Sequence, residues 1–268
     1  MDLSLFDYFF PKELVAQHPL PRREDSRMMV VERRAGRRKN QCFVDFPDHL
    51  KAGDLLVLNN AQADLIEMEG RLVPPLPPYI KRKKAEDFTE GDFERYRTVY
   101  ASVPGSKAAP TAGFHFTEEM LGRIRSAGVE IRFVTLHVSH DTYKPIRTPN
   151  ILDHPMHGEE YVVPDETAQA VQTAKKEGRR VIAVGTTTVR ALESWEQNRQ
   201  ADTTRLFISP GYRFQIIDAL LTNFHRPRST VLVMVCALAG REPILDAYRE
   251  AIDSNYRLFS YGDCMLII

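Results

Sequence analysis

Cysteine is scarce in this chain. Cys42, Cys236 and Cys264 are the only three among 268 residues. They are odd in number and lack the short paired spacings of thiolate metal sites. This argues against a disulfide framework or a zinc ribbon and for a reduced, cytoplasmic protein. Long apolar runs are also lacking. The longest, residues 231–239, is too short to span a bilayer, so no membrane partner is expected. The first residues carry acids and Pro11, unlike a signal peptide. Excess charge of either sign is absent, with 36 Lys+Arg against 36 Asp+Glu. Bulk basicity therefore does not advertise nucleic acid, and any RNA contact has to come from a local patch. No internal repeat is visible. What remains is ordinary for a soluble globular protein, 43% hydrophobic and 27% charged. The length suffices for one large domain or two small ones with ample core.

Strand and helix patterns alternate along the chain. Residues 11–17 read as a short helix, 28–32 as an apolar strand and 33–39 as a basic turn. The run "DLLVL" at 54–58 reads as a buried strand. Four prolines in "VPPLPPY", residues 73–79, remove donors and fix φ, which predicts an extended linker. A charged, weakly ordered loop is expected over 81–94. Residues 117–127 predict a helix capped by Thr117 and stopped by Gly128. A strand over 130–138, a helix over 164–178 with Asp165 as candidate cap, a strand over 180–184 and a helix over 186–198 follow. The alternation predicts an α/β fold, a mixed β-sheet core with flanking helices, as a single catalytic-type domain over residues 1–268.

Several polar turns abut apolar elements. Asn223, Phe224, His225, Arg226, Arg228, Ser229 and Thr230 directly precede the apolar run 231–239. A polar hinge against a buried element is where a fold aims such groups at a ligand. "GTTTVR" at 185–190 follows a strand and opens a helix, which exposes backbone N–H groups at a positive helix terminus. That suits a carboxylate, ribose or phosphate; a plain capped helix fits equally well. Arg190 and Glu193 lie on one helix face, facing a ligand or forming a solvated ion pair. In "PTAGFHF", His115 precedes a helix and Gly113 permits close backbone approach; a lone histidine there is often only structural. "LDHPMHGEEY" offers His154, His157, Glu159 and Glu160. Pro155 interrupts any helix that would align the histidines on a metal, so substrate contact, acid–base work or a structural turn are the open readings. "PPYIKRKK" interleaves Tyr79 with basic residues, and this pattern suits stacking on an unpaired base and phosphate attraction, or else a solvated linker.

Taken together, "PTAGFHFTEE", "GTTTVRALES", "PGYRFQIIDALLTNFH" and "YGDCMLI" resemble one family over nearly the whole chain. It is the S-adenosylmethionine:tRNA ribosyltransferase-isomerase family of queuosine biosynthesis. The resemblance implies that S-adenosylmethionine is consumed as a ribosyl donor, without a metal. The acceptor is a 7-aminomethyl-7-deazaguanine base in the anticodon stem-loop of tRNA, and the product is epoxyqueuosine. A monomer in the cytoplasm is expected. The acid–base chemistry implicates His115, His137, His225 and Asp263, with their individual roles left open. Thr111, Gly113, Thr186, Thr187, Arg190, Glu193 and Asn223 are expected around S-adenosylmethionine. Arg27, Tyr79, Lys81, Arg82, Arg226 and Arg228 are expected to meet RNA.

The sequence also departs from the family. Members usually insert a β-barrel-like domain after "LLVLN". Here that domain is missing or reduced, and residues 59–95 form a Pro-rich, charged connector. Members continue "LLVLN" with D-T-R-V, where this chain has Asn60, Ala61, Gln62 and Ala63. After "LHV", a glycine-rich stretch is replaced by Ser139, His140 and Asp141. These changes keep two other readings open: action on a free base or other small acceptor, and a non-catalytic RNA- or nucleoside-binding protein.

Overall fold

The computed structural model describes residues 1–33, 35–139 and 145–268. Its thirteen strands are β1 Arg27–Val31, β2 Arg38–Cys42, β3 Leu55–Asn59, β4 Ala61–Ala63, β5 Ile66–Met68, β6 Arg71–Val73, β7 Val103–Ser106, β8 Glu130–Leu136, β9 Glu159–Val162, β10 Val181–Val184, β11 Thr203–Thr204, β12 Ala219–Asn223 and β13 Cys264–Ile267. The helices are α1 Glu90–Arg95, α2 Glu118–Ser126, α3 Asp165–Lys176, α4 Thr186–Gln197, α5 Thr230–Ala239 and α6 Arg241–Asp253. One nine-stranded sheet runs in the order β11-β9-β8-β3-β10-β12-β13-β1-β2. Its centre, β8-β3-β10-β12, is parallel throughout. Antiparallel pairs β12–β13 and β8–β9 flank that centre, so the sheet is mixed.

Both faces of the central strands are buried, which explains why β3 and β10 read as unbroken apolar runs. Side chains alternate strictly between two cores. Leu55, Val57, Val181, Ala183 and Leu220 join a core with α3, α4, α5 and α6. Leu56, Leu58, Ile182, Val184 and Leu221 join another with α2 and the short 3-10 helix Phe43–His49. In the second core Phe43 stacks on Phe46 at 5.4 Å, and Phe116 meets both edge-on.

Most expected elements lie where the patterns put them. Thr117 caps α2, accepting from the Met120 N–H at 3.1 Å. Asp165 is not a cap: α3 begins on it, after Pro164. The expected helix over 11–17 is a single 3-10 turn, Lys12–Leu14. The larger departure is at 81–94. This stretch is pinned by a capping box at the start of α1, where Thr89 and Asp92 exchange hydrogen bonds. Asp92 also takes both Arg82 Nε and Nη2 at 2.8 Å in a buried pair. Around the Pro-rich, charged stretch 59–95, β5 and β6 form a hairpin and β4 pairs with β7.

Candidate functional site

The parallel strands of the centre end in polar residues on one edge of the sheet. Open α/β sheets bind ligands outside the carboxyl ends of their strands. Here β3 ends in Asn59, β10 runs into Gly185, and β12 ends in Asn223. Gly185, at φ 86°, turns the chain directly into α4 without a side-chain cap. The first N–H groups of α4 are thus left without intrahelical partners at the positive end of the helix. A cavity of about 100 Å3 opens there, and Thr111, Thr186, Thr187, Asn223, His225 and Arg226 are among its lining. A second, of about 30 Å3, lies on the far side of Thr186 and Thr187, against His154, His157, Glu159 and Arg190. The start of α5 borders both through Val231. The turns of "TAGFHF", "GTTTVR" and "NFH" therefore meet in one place.

Asn223 is the best-anchored of these residues. Its Oδ1 accepts from the Thr111 hydroxyl at 3.2 Å. Its Nδ2 faces His115 Nε2 at 3.2 Å and the carbonyls of Phe259 and Asp263. An amide nitrogen only donates, so Nε2 is the acceptor and Nδ1 carries the proton, which it gives to Ser26 Oγ at 3.0 Å. Burial, reinforced by Arg23, Arg95 and Arg257, pushes the His115 pKa down to about 3. His115 stays neutral. It acts on the cavity through Asn223 and does not line it, contrary to the expectation of direct acid–base work.

His225 does line the cavity. Its Nε2 pairs with Thr222 Oγ1 at 2.8 Å, its N–H donates to the Tyr248 hydroxyl at 2.8 Å, and its carbonyl accepts from the Tyr8 hydroxyl. The backbone of His225 is thus held on both sides and its ring at Nε2, and Nδ1 has no partner among the described residues. Desolvation pushes its pKa down to about 3, so the imidazole is neutral.

Arg190 and Glu193 sit further along α4, but they are not partners. Arg190 is buried and donates to the Glu159 carboxylate and to the carbonyls of Leu206 and Thr204. Desolvation lowers its pKa to about 10. Glu193 is wholly buried, and its carboxylate accepts from the N–H groups of Gln215, Ile216 and Ile217 and from the Tyr212 hydroxyl. All its lone-pair directions serve the 212–217 segment. It clamps that segment and borders neither cavity, which corrects the expectation of a ligand contact. Gly113 likewise serves packing: a Cβ there would meet the Tyr100 hydroxyl at 2.0 Å.

The remaining candidates divide. Asp263 accepts from the backbone N–H groups of Arg27 and Arg257 at 2.9 and 2.7 Å, beneath the site. Burial raises its pKa against those bonds. His137 falls on the opposite side of β8 from Leu136 and Val138, next to Gly105, away from the cavity. The period-two alternation of a strand decides this. His140 and Asp141 lie outside the described residues.

Of the RNA candidates, Tyr79 and Arg226 stand at the cavity mouth. The Arg226 guanidinium is 6.0 Å from the Tyr79 ring centroid, and Tyr79 also meets Phe259. Lys81 is exposed. Arg82 is consumed by Asp92, and Arg228 by Asp7. Arg27 stacks 3.8 Å over Tyr256 and donates to the Ser254 carbonyl. Arg82 and Arg27 are built into the protein, whereas Arg228 stays exposed in a surface ion pair.

Sequence reasoning passed over Asn59. It accepts from Ala61 N and Leu136 N and donates to the Leu136 carbonyl and to Thr187 Oγ1 at 3.0 Å. It thus ties β3, β8 and the start of α4 together. A single polar residue closing the buried run "LLVLN" was its signal. Among the described residues, no cluster of His, Cys, Asp and Glu has metal-binding geometry, and no helix is long and apolar enough to cross a membrane.

This carboxyl-edge cavity, with polar turns and helix N-termini converging on it, defines a ligand-binding α/β protein of the open-sheet class. The sequence model of the queuosine biosynthesis protein family matches residues 3–72 and 63–267. The chain is 41% identical to the S-adenosylmethionine:tRNA ribosyltransferase-isomerase of Carboxydothermus hydrogenoformans, with all of both chains covered. It is 37% identical to that of Treponema denticola, over 98% of this chain and 99% of the relative. The crystal structure of the S-adenosylmethionine tRNA ribosyltransferase of Thermotoga maritima superposes with a TM-score of 0.71 at 32% identity, over 99% of this chain and 100% of the other. The chain belongs to the queuosine biosynthesis protein family. The alignment to the Carboxydothermus relative is 344 positions long against 268 residues here, a difference of 76. The family match falls in two segments that overlap over 63–72, at the β5–β6 hairpin.

Proposed function

We propose that the protein is an S-adenosylmethionine:tRNA ribosyltransferase-isomerase. It moves the ribosyl group of S-adenosylmethionine onto the aminomethyl nitrogen of a 7-deazaguanine in tRNA and isomerises it to epoxyqueuosine. A C–N bond to the ribosyl group forms, the bonds to sulfur and to the adenine ring break, and methionine and adenine are released. The sulfonium acidifies the neighbouring ribose carbon, so a base beside it is required. His225, neutral and with Nδ1 open to the cavity, is the proton acceptor in reach, and its low basicity requires the sulfonium to supply most of the acidification. Thr111, its hydroxyl fixed on Asn223, suits a ribose hydroxyl. The paired starts of α4 and α5, with Thr186 and Thr187, suit the methionine carboxylate. Arg226 and Tyr79 at the mouth suit a phosphate and an unstacked base of the anticodon stem-loop. The protein works as a monomer, in the cytoplasm.

The observation that carries this reading is the convergence of the three family motifs on one carboxyl-edge cavity. The test is adenine release from S-adenosylmethionine in the presence of tRNA bearing 7-aminomethyl-7-deazaguanine, compared with the free base. Release with the tRNA is expected. Release with the free base alone would replace tRNA by a small acceptor, and no release with either would leave a binding protein.

A further inference from the structure

A larger cavity than either of those at the carboxyl edge, about 310 Å3, lies beside the site with no role in the account above. It is enclosed by β4, the Pro74–Pro75 turn and the end of α1 with the residues that follow it. Ala109 belongs to the walls of this cavity and of the main one, so the two openings are neighbours. Three of its polar side chains, Gln62, Arg97 and Thr98, are unspent. Thr98 is buried, yet its Oγ1 has no hydrogen-bond partner among the described residues. The Gln62 amide makes no hydrogen bond among them, and Arg97 is exposed with no acidic partner among them. Phe93 stands at the rim, 43% exposed. The one carboxylate, Asp64, is occupied by the Gly105 N–H at 2.8 Å and by Lys107 at 3.8 Å. The two segments of the family match overlap over 63–72, at its edge.

We propose that this cavity is a second nucleotide subsite, holding the base next to the target nucleotide of the RNA. This rests on the tRNA reading above. An exposed aromatic face offers stacking to any base, and an unpaired arginine beside it offers a phosphate contact. The Gln62 amide and Thr98 hydroxyl present donors and acceptors to a base edge. The chemistry is that of a single-stranded nucleotide and not of an apolar peptide, which would leave Thr98 and Gln62 unsatisfied. The neighbouring cavity accounts for how a target base can be held out of its stack, because its neighbour is held as well.

The test is binding of an anticodon stem-loop, alongside adenine release, in wild-type protein, Phe93→Ala and Arg97→Ala. Both side chains are exposed, so melting temperature should not move. Phe93→Ala should weaken stem-loop binding about ten-fold. Arg97→Ala should weaken it and flatten its salt dependence by roughly 0.7 units of slope. Neither should alter adenine release with an isolated nucleoside acceptor. Removing the base of the adjoining nucleotide should weaken wild-type binding as much as Phe93→Ala does, and should cost nothing further in that variant. Unchanged affinity and slope in both variants, or losses that add, would overturn the subsite. Stem-loop binding with the expected variant losses but no adenine release would keep the subsite and discard the reaction. A wild-type protein that does not bind the stem-loop would discard both.

Discussion

The two edges of the central sheet are built from the same kinds of residue, and they end very differently. At the amino edge, Asp54 accepts from the Arg180 guanidinium and from Lys51 N, and Asp218 accepts from Val181 N and the Lys175 ammonium. Arg179 closes the gap by donating to the Gly53 carbonyl at 2.9 Å. Every strand there starts against a protein partner. At the carboxyl edge, Asn59 and Asn223 are just as firmly bonded, yet the groups beside them are open: His225 Nδ1, Arg226 and the first turn of α4. A polar strand end marks a site only where its fixed groups orient others that the protein leaves unsatisfied.

The comparison can be broken most sharply at His225. Substitution to alanine should lower kcat by on the order of 10²–10⁴ while leaving the melting temperature nearly unchanged. Unfolding, or an unchanged kcat, would remove His225 from the chemistry. Next in size is the Arg190–Glu159 pair. Arg190→Met alone removes the cation from the buried Glu159 carboxylate and should cost roughly 3–5 kcal/mol in denaturant unfolding, whereas adding Glu159→Leu should recover most of it. At the amino edge, Asp54→Ala should cost roughly 1–3 kcal/mol of stability through lost charge-assisted bonds, with kcat/KM unchanged.

Acid should discriminate more finely. His115 binds its proton at about pH 3 when folded but near 6.5 when unfolded. Between those values the unfolded chain holds more protons, so stability falls as pH is lowered through that window and is unaffected above it. His115→Gln should remove up to about 1.4 kcal/mol per pH unit of that slope, measured by urea unfolding from pH 6 to pH 4. The smallest effect belongs to the exposed lysine. Lys81→Ala should reduce the salt slope of tRNA binding by about one unit or less, while Arg82→Ala should chiefly lower the melting temperature, because its partner is the buried Asp92.

The fold was largely readable because buried parallel strands advertise themselves as runs such as "DLLVL" and "VIAV". The meeting of the motifs was readable too, since each is a polar turn against an apolar element. Direction within the motif was not. His115 and Asn223 look alike as polar residues in turns, and only tertiary packing puts one behind the other. Arg82 looks like part of a basic patch until Asp92, ten residues later, is seen folded back onto it by the Thr89 capping box. Glu193 shares a helical face with Arg190, but its acceptors are claimed by backbone groups more than twenty residues away, which no local period reports. His137 was misjudged for a simpler reason, the parity of a strand.

Backbone hydrogen exchange with and without S-adenosylmethionine compares the two edges in a single experiment. The account requires slowed exchange at Thr186, Thr187 and Thr188 at the start of α4 and at residues 222–226, with Lys51, Asp54 and Val181 at the amino edge unchanged. Protection confined to the amino edge, or spread evenly over both, would contradict a ligand site at the carboxyl ends of the strands.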